Sequence, residues 1–437
     1  MDPIVVGVIG LVAFLVMMFL GMPVSFSMMF VGAAGIIVLK NVDSALQVVV
    51  SDVLSQFTSY TASVVPMFAL MGYLAGCTGI GTGLFDLAHK FIGHRKGGLV
   101  IATQLACALF GAICGSMPAT VATFGTVAYP EMKKYNYDDE ISTASIASGA
   151  VLAVLIPPSL WLIIYGSMTE NSIGRLFVAG IPGGVILLIA YILVIVIWCK
   201  KNPSIAPATR RYSWKERFST ITKGGLIEII IVFLLSLGGL FAGWFTPTEA
   251  GAIGAAGMFL ITFIEKKLDV PKFKKAMIDT IKLTAMVYML LAGGTIFGKF
   301  FAISRFPAWL GNVVVDMDMP GWFVLIIIVI IYLILGALMD EMPLILLTIP
   351  IFYPIICGTY GYDPIWYGVI IVIVVGTGSI APPVGLNVFI LKGLIPSVPI
   401  GTMFRGIWPF VIANTAVCIL LIVFPNMITF LPKLMYG

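Results

Sequence analysis

The sequence predicts an all-α polytopic membrane protein made of two inverted-topology repeats, with about ten transmembrane helices and two re-entrant hairpins. Three observations point there. Of the 437 residues, 60% are hydrophobic and only 10% are charged, against about 25% charged in a soluble domain. Apolar segments of near-bilayer length follow one another along the chain. Landmarks of the first half return in the second at a near-constant spacing. The same numbers exclude a water-exposed globule, because too few ionic groups exist to cover its surface. They also exclude a nucleic-acid partner, since the net charge of +5 is not gathered into a basic domain. The outer faces of the spans are expected to contact membrane lipids.

The apolar segments fall near 4–20, 23–39, 62–77, 97–132, 140–168, 177–198, 226–245, 248–264, 284–300, 321–356, 365–391 and 404–424. The first has no basic region before it and is expected to be a retained span rather than a cleaved leader. Two stretches, 199–223 and 265–282, are rich in Lys and Arg, and two spans separate them, turning at Thr246-Pro247-Thr248-Glu249. Both therefore lie on one side, which the positive-inside rule makes the cytoplasm. Counting back, 131–140 and 78–98 are cytoplasmic as well, so 97–132 begins and ends on the same side. Its centre, GAICGSMPAT at 111–120, holds Gly111, Gly115, Ser116 and Pro118 and no charge. Such a centre favours a re-entrant hairpin over two short spans with a tight turn, because non-helical backbone at membrane depth is tolerated where protein or a cavity surrounds it.

The repeat is read from five landmarks. Met117-Pro118 and Thr123 return as Met342-Pro343 and Thr348, Tyr135 and Asp138 as Tyr360 and Asp363, and Pro157-Pro158 as Pro382-Pro383, each 225 residues later. Ile173-Gly174, Phe177 and Pro182 return as Ile400-Gly401, Phe404 and Pro409 at a spacing of 227. The chain then divides into a first repeat at 1–198, with hairpin 97–132 and broken helix 140–168, a basic cytoplasmic linker at 199–225, and a second repeat at 226–437, with hairpin 321–356 and broken helix 365–391. The unit has an odd number of crossings, so the second copy enters the membrane upside down, and the two hairpin tips approach mid-bilayer from opposite sides. Inverted repeats with broken elements meeting there are characteristic of secondary transporters.

The chemistry lies in the interruptions. AVLAVLIPPSLWLIIYG at 150–166 and GTGSIAPPVGLNVFILKG at 376–393 each carry a double proline, which removes two amide donors and frees carbonyls of the preceding turn. Freed carbonyls and helix C-terminal ends suit Na⁺, whereas a plain kink would leave them idle. The second hairpin carries Asp340 and Glu341 in LMDEMPL, and acids at such depth face the protein interior and mark an ion or substrate path. Asp340 is the preferred candidate of the two. The runs 41–60 and 80–96 read as interfacial, and Arg175, Lys299, Arg305, Lys392 and Arg405 lie near helix ends, where they can snorkel.

Enzymatic chemistry has little support. The two histidines, His89 and His94, sit among Lys90, Arg95 and Lys96, and the six cysteines form no C-x-x-C pair. GIGTG at 79–83 has neither the preceding strand nor the lysine of a phosphate loop. No catalytic residue is expected.

FGAICGSMPATVATFG, the LIPPS break, LFVAGIPGG, LMDEMPL and APPVGLNVF together resemble the large membrane subunit of TRAP (tripartite ATP-independent periplasmic) transporters, of the dicarboxylate-type M class, over essentially the whole chain. The resemblance implies a multi-pass permease of the bacterial or archaeal inner membrane, importing a small organic anion such as a C4-dicarboxylate or sialic acid. It implies Na⁺ as the co-transported ion, no organic cofactor and an elevator mechanism. The partners it implies are a small four-helix membrane subunit, expected as a separate chain, and a periplasmic substrate-binding protein. It places one Na⁺ cluster at Ser116 with the carbonyls of Ala153, Ile156 and Pro158, and a second at Asp340 with Gly378, Ala381 and Pro383. Substrate would lie near Ser116, Thr120, Thr377 and Asn387. Cys114 and Ala153 depart from the family pattern of serine and glycine at these places. The rival reading is a stand-alone sodium–anion symporter of another inverted-repeat family.

Overall fold

The computed structural model describes residues 2–223 and 226–436. Gly224 and Gly225, which close the expected linker 199–225, and the terminal Met1 and Gly437 lie outside the described residues. Among the described residues the chain is helical, with no strand.

Among the described residues, six helices are long and apolar enough to cross a membrane: Asp139–Thr169 taken through its break, Ile173–Lys201, Pro247–Ile264, Val270–Ser304, Glu341–Thr359 and Ile400–Val423. A seventh arises if Val64–Cys77 and Ile80–Ile92, bent by 67° to each other, count as one. The sequence suggested about ten. The difference lies in apolar helices of 10–17 residues, among them Pro3–Phe19, Val24–Leu39, Gly98–Cys114 and Gly321–Gly336. Sixteen residues rise only about 24 Å, short of a hydrocarbon core of about 30 Å, and glycine or proline at the ends of these runs stops the regular helix.

Val270–Ser304 is one helix of 35 residues, roughly 52 Å long. It starts within the basic stretch 265–282, where the Asp269 carboxylate accepts from the Lys272 amide at 2.8 Å. That amide holds the Asp269 carboxyl below the usual range. Farther along, the Phe300 ring fills the space between Gly10 and Gly35, where added Cβ atoms would stand 2.5 and 2.2 Å from it. Lys299 pairs with the buried Asp52. Asp52 comes from the amphipathic helix Val42–Phe57, whose other face leaves Leu46, Val50 and Leu54 exposed.

The segments assigned to one side of the membrane do meet. The Gly97 amide donates to the Ala206 carbonyl at 3.0 Å, Thr209 to Gly93 at 2.9 Å, and Asp138 to Ile205 at 2.9 Å. At the opposite turn, Thr246 and Glu249 form a capping box that starts Pro247–Ile264, and the Thr248 hydroxyl donates to the Tyr60 carbonyl at 3.2 Å.

Candidate functional site between two helix breaks

The first hairpin consists of Gly98–Cys114 and Met117–Lys134. Gly115 turns the chain in a left-handed conformation, φ +57°, which glycine adopts without steric penalty. Ser116 then caps the second arm, its Oγ accepting from the Ala119 amide at 3.4 Å, with Pro118 in the first turn. The tip is buried in protein. A Cβ on Gly115 would stand 2.4 Å from the Pro158 carbonyl oxygen, and one on Gly111 would stand 2.5 Å from the Cα of Ala153. The turn before Ser116 thus lies against Pro158, and the end of the first arm against Ala153. The Ile156 side chain packs on Gly184.

The first broken helix runs Asp139–Gly149 and Leu152–Leu155, passes through extended Ile156 and a cis Pro157-Pro158 bond, and resumes at Leu160–Thr169. Pro157 has no N–H for the Ala153 carbonyl, and Pro158 has none for Val154. The Ser159 hydroxyl donates to the Val154 oxygen, which leaves Ala153 without that donor.

The second copy solves the same problem with different atoms. Pro364–Gly378 ends before a cis Pro382-Pro383 bond, and Leu386–Leu394 follows. Pro382 and Pro383 withhold donors from the Gly378 and Ser379 carbonyls. Here the Asn387 amide donates to the Ser379 oxygen at 3.1 Å, and the Ala381 amide reaches Gly378 at 3.1 Å. Gly336, at the end of Gly321–Gly336, lies against Gly378, where a Cβ would stand 2.7 Å from Gly336 backbone.

The two carboxylates at the second tip are placed in the reverse of the expected order. Asp340 is exposed and caps Glu341–Tyr353, accepting from the Glu341 amide at 2.8 Å. Glu341 is the buried one, 2% exposed, with Oε1 unpartnered. The cause is local: a helix-capping side chain turns back over its own first turn, while the next residue projects into the protein.

Of the expected substrate residues, Thr120, Thr377 and Asn387 are fully or almost fully buried. The Thr120 hydroxyl donates to the Ser116 carbonyl at 2.7 Å and that of Thr377 to Ile373 at 2.8 Å. Asn387 Nδ2 reaches the Ala147 carbonyl at 3.3 Å, and its Oδ1 is unpartnered. Met117 of the first tip lies 3.5 Å from Ser379 Oγ and 3.6 Å from Asn387 Nδ2. The first tip and both broken helices therefore share one interior.

A cavity of about 420 Å³ opens beside this interior, lined by Ser116, Thr123, Tyr73, Lys272, Lys275 and Asp279 among others. It reaches Ser116 but not Thr120, Thr377 or Asn387. The lysines and Asp279 were missed as site residues because they fall in a basic run. Their spacing at 272, 275 and 279 puts them on one helix face, which was the available signal.

The family described as "Tripartite ATP-independent periplasmic transporter, DctM component" matches residues 11–427.

The chain belongs to the DctM family.

This DctM-family chain is 34% identical over 376 residues to the C4-dicarboxylate TRAP transporter large permease protein DctM of Pseudomonas aeruginosa, covering 85% of the chain and 84% of the relative. It is 30% identical to the sialic acid TRAP transporter large permease protein SiaM of Vibrio cholerae, covering 96% and 97%. It is 33% identical to the ectoine TRAP transporter large permease protein TeaC of Halomonas elongata, covering 85% and 86%. Among solved structures, the Alcanivorax borkumensis YdaH transporter aligns with a TM-score of 0.57 at 14% identity, covering 88% of this chain and 89% of that one, a likeness of fold alone. The chain is thus a TRAP large permease subunit, its apolar helices fit a multi-pass membrane protein, and its relatives are permeases rather than enzymes. Subunits of this family work with a small membrane subunit and a periplasmic binding protein.

Proposed function

We propose that this permease imports a small carboxylate, a C4-dicarboxylate, sialic acid or similar organic anion, in symport with Na⁺ by an elevator movement. The reading is supported chiefly by one observation: each of two matched helix breaks withholds two amide donors from carbonyls buried against a hairpin. Na⁺ is cargo here. In the first cluster Ser116 and the carbonyls of Ala153, Ile156 and Pro158 would bind it, and in the second Gly378, Ala381 and Pro383 would do so with a carboxylate. Glu341, buried with a free oxygen, fits that carboxylate better than the exposed Asp340.

The two hairpins and two broken helices would move as one inverted-repeat core against a frame built on Val270–Ser304. Substrate held between the tips by Ser116, Thr120, Thr377 and Asn387 would leave through the cavity that Lys272 and Lys275 border, cations that suit a carboxylate. Cations bound with the anion offset its charge. One net positive charge carried inward gains about 2.3 kcal/mol per 100 mV, enough for a gradient of roughly 50-fold.

Uptake by proteoliposomes containing this chain and its small subunit, with binding protein supplied outside and labelled succinate or N-acetylneuraminate as probes, tests the proposal. Uptake that requires both Na⁺ and binding protein is expected. Uptake indifferent to Na⁺ removes the coupling, and uptake without binding protein favours a stand-alone symporter.

A further inference from the structure

A groove of about 720 Å³ lies between the first hairpin and the end of Ile173–Lys201. It has no part in the site above. Its walls are apolar, formed by Ile92, Ile101, Leu105, Ile192 and Val196. Its rim is basic, formed by His94, Arg95, Lys96 and Lys200. Arg95, Lys96 and Lys200 are exposed, and none forms an ion pair among the described residues. Cations gathered without a counter-charge at the edge of an apolar cleft repel one another and are poorly solvated on the cleft side.

Two further observations fix the level of this groove. Val185, Ile189, Leu193 and Ile197 are exposed at intervals of four residues, one continuous apolar stripe of a helix, and the stripe ends at Lys200. Phe91, on the groove wall, contacts the rings of Trp214 and Phe218. Both rings are more than half exposed, as aromatic side chains are at the headgroup level of a bilayer.

We propose that this groove binds an anionic phospholipid of the cytoplasmic leaflet, with phosphate among Arg95, Lys96 and Lys200 and an acyl chain along Ile101, Leu105, Ile192 and Val196. Basic pockets between transmembrane helices on the cytoplasmic side take such headgroups. A free anion would satisfy the rim and leave the walls unused, whereas a zwitterionic lipid would fill the walls and leave the rim uncompensated. The lipid would brace the first hairpin arm against Ile173–Lys201, so its binding is read as stability.

The test uses the full chain purified with its small subunit in neutral detergent, with the unfolding midpoint and native mass spectra recorded with phosphatidylglycerol, phosphatidylcholine or inorganic phosphate. Phosphatidylglycerol is expected to raise the midpoint by several degrees and to remain bound in the spectrum, while the other two do neither. Arg95→Gln/Lys96→Gln/Lys200→Gln is expected to abolish the difference between the two lipids. Should that variant not fold, Lys200→Gln alone is expected to lower phosphatidylglycerol retention about fivefold. Equal effects of the two lipids, a phosphatidylglycerol preference undiminished in the variants, or the full shift with inorganic phosphate would each overturn the proposal.

Discussion

Gly336 and Gly378 touch backbone to backbone, and 225 residues earlier Gly111 and Ala153 make the same contact. The relation lets each hairpin close on its broken helix at the turn whose carbonyl loses its helical donor to the following proline, a loss the Ala381 amide makes up at Gly378. Side chains cannot yield at a contact between backbones. Gly378→Ala is therefore expected to cost about 1–3 kcal/mol through overpacking and to cut uptake strongly. Gly393→Ala, where a Cβ meets nothing within 4 Å, serves as the control. Thermal unfolding and proteoliposome uptake check both.

The buried position of Glu341 separates it from its neighbour. Glu341→Gln is expected to raise the Na⁺ concentration for half-maximal uptake by at least about tenfold, the loss of one charge-assisted contact. Asp340→Asn keeps a capping oxygen and is expected to change it less than about twofold. The reverse ranking would return the ion site to Asp340.

At the cavity mouth the lysines are exposed, so their effect is modest and screened by salt. Lys272→Gln/Lys275→Gln is expected to slow uptake of a dianion about two- to fivefold at low ionic strength and much less at high ionic strength. A dianion and a zwitterion such as ectoine, compared in the same vesicles, provide the check, since only the dianion should respond.

Asp52 is buried and Lys299 is half-exposed. Lys299→Met would leave the buried carboxylate with only the Ser51 hydroxyl, 3.5 Å from Oδ1, since Oδ2 already lacks a partner. A loss of about 1–3 kcal/mol is expected, below the range for a fully buried pair because water reaches the lysine. The double variant Asp52→Asn/Lys299→Met should recover part of it, as a double-mutant cycle on the unfolding midpoint would reveal.

Much was legible in the sequence because the signals are short-range and chemical. Apolar run length marked helices buried in lipid, two double prolines marked where amide donors are missing, and glycines at 111 and 115 marked a turn with no room for a side chain. The spacing of 225 could be read because it lies in the order of the residues themselves. The contact between Ala153 and Gly111 was not legible, because nothing local tells which backbone will press on which glycine.

Sequence alone therefore determined the class of the protein, its family and the two places where helices break. Only the tertiary structure decided that Glu341 rather than Asp340 is interior, that Ser159 and Asn387 relieve equivalent carbonyls by different donors, and that Lys272, Lys275 and Asp279 border the cavity of Ser116. The reason is one of range. Whether an amide is missing depends on the residue itself, whereas burial and partnership depend on atoms brought close from hundreds of residues away.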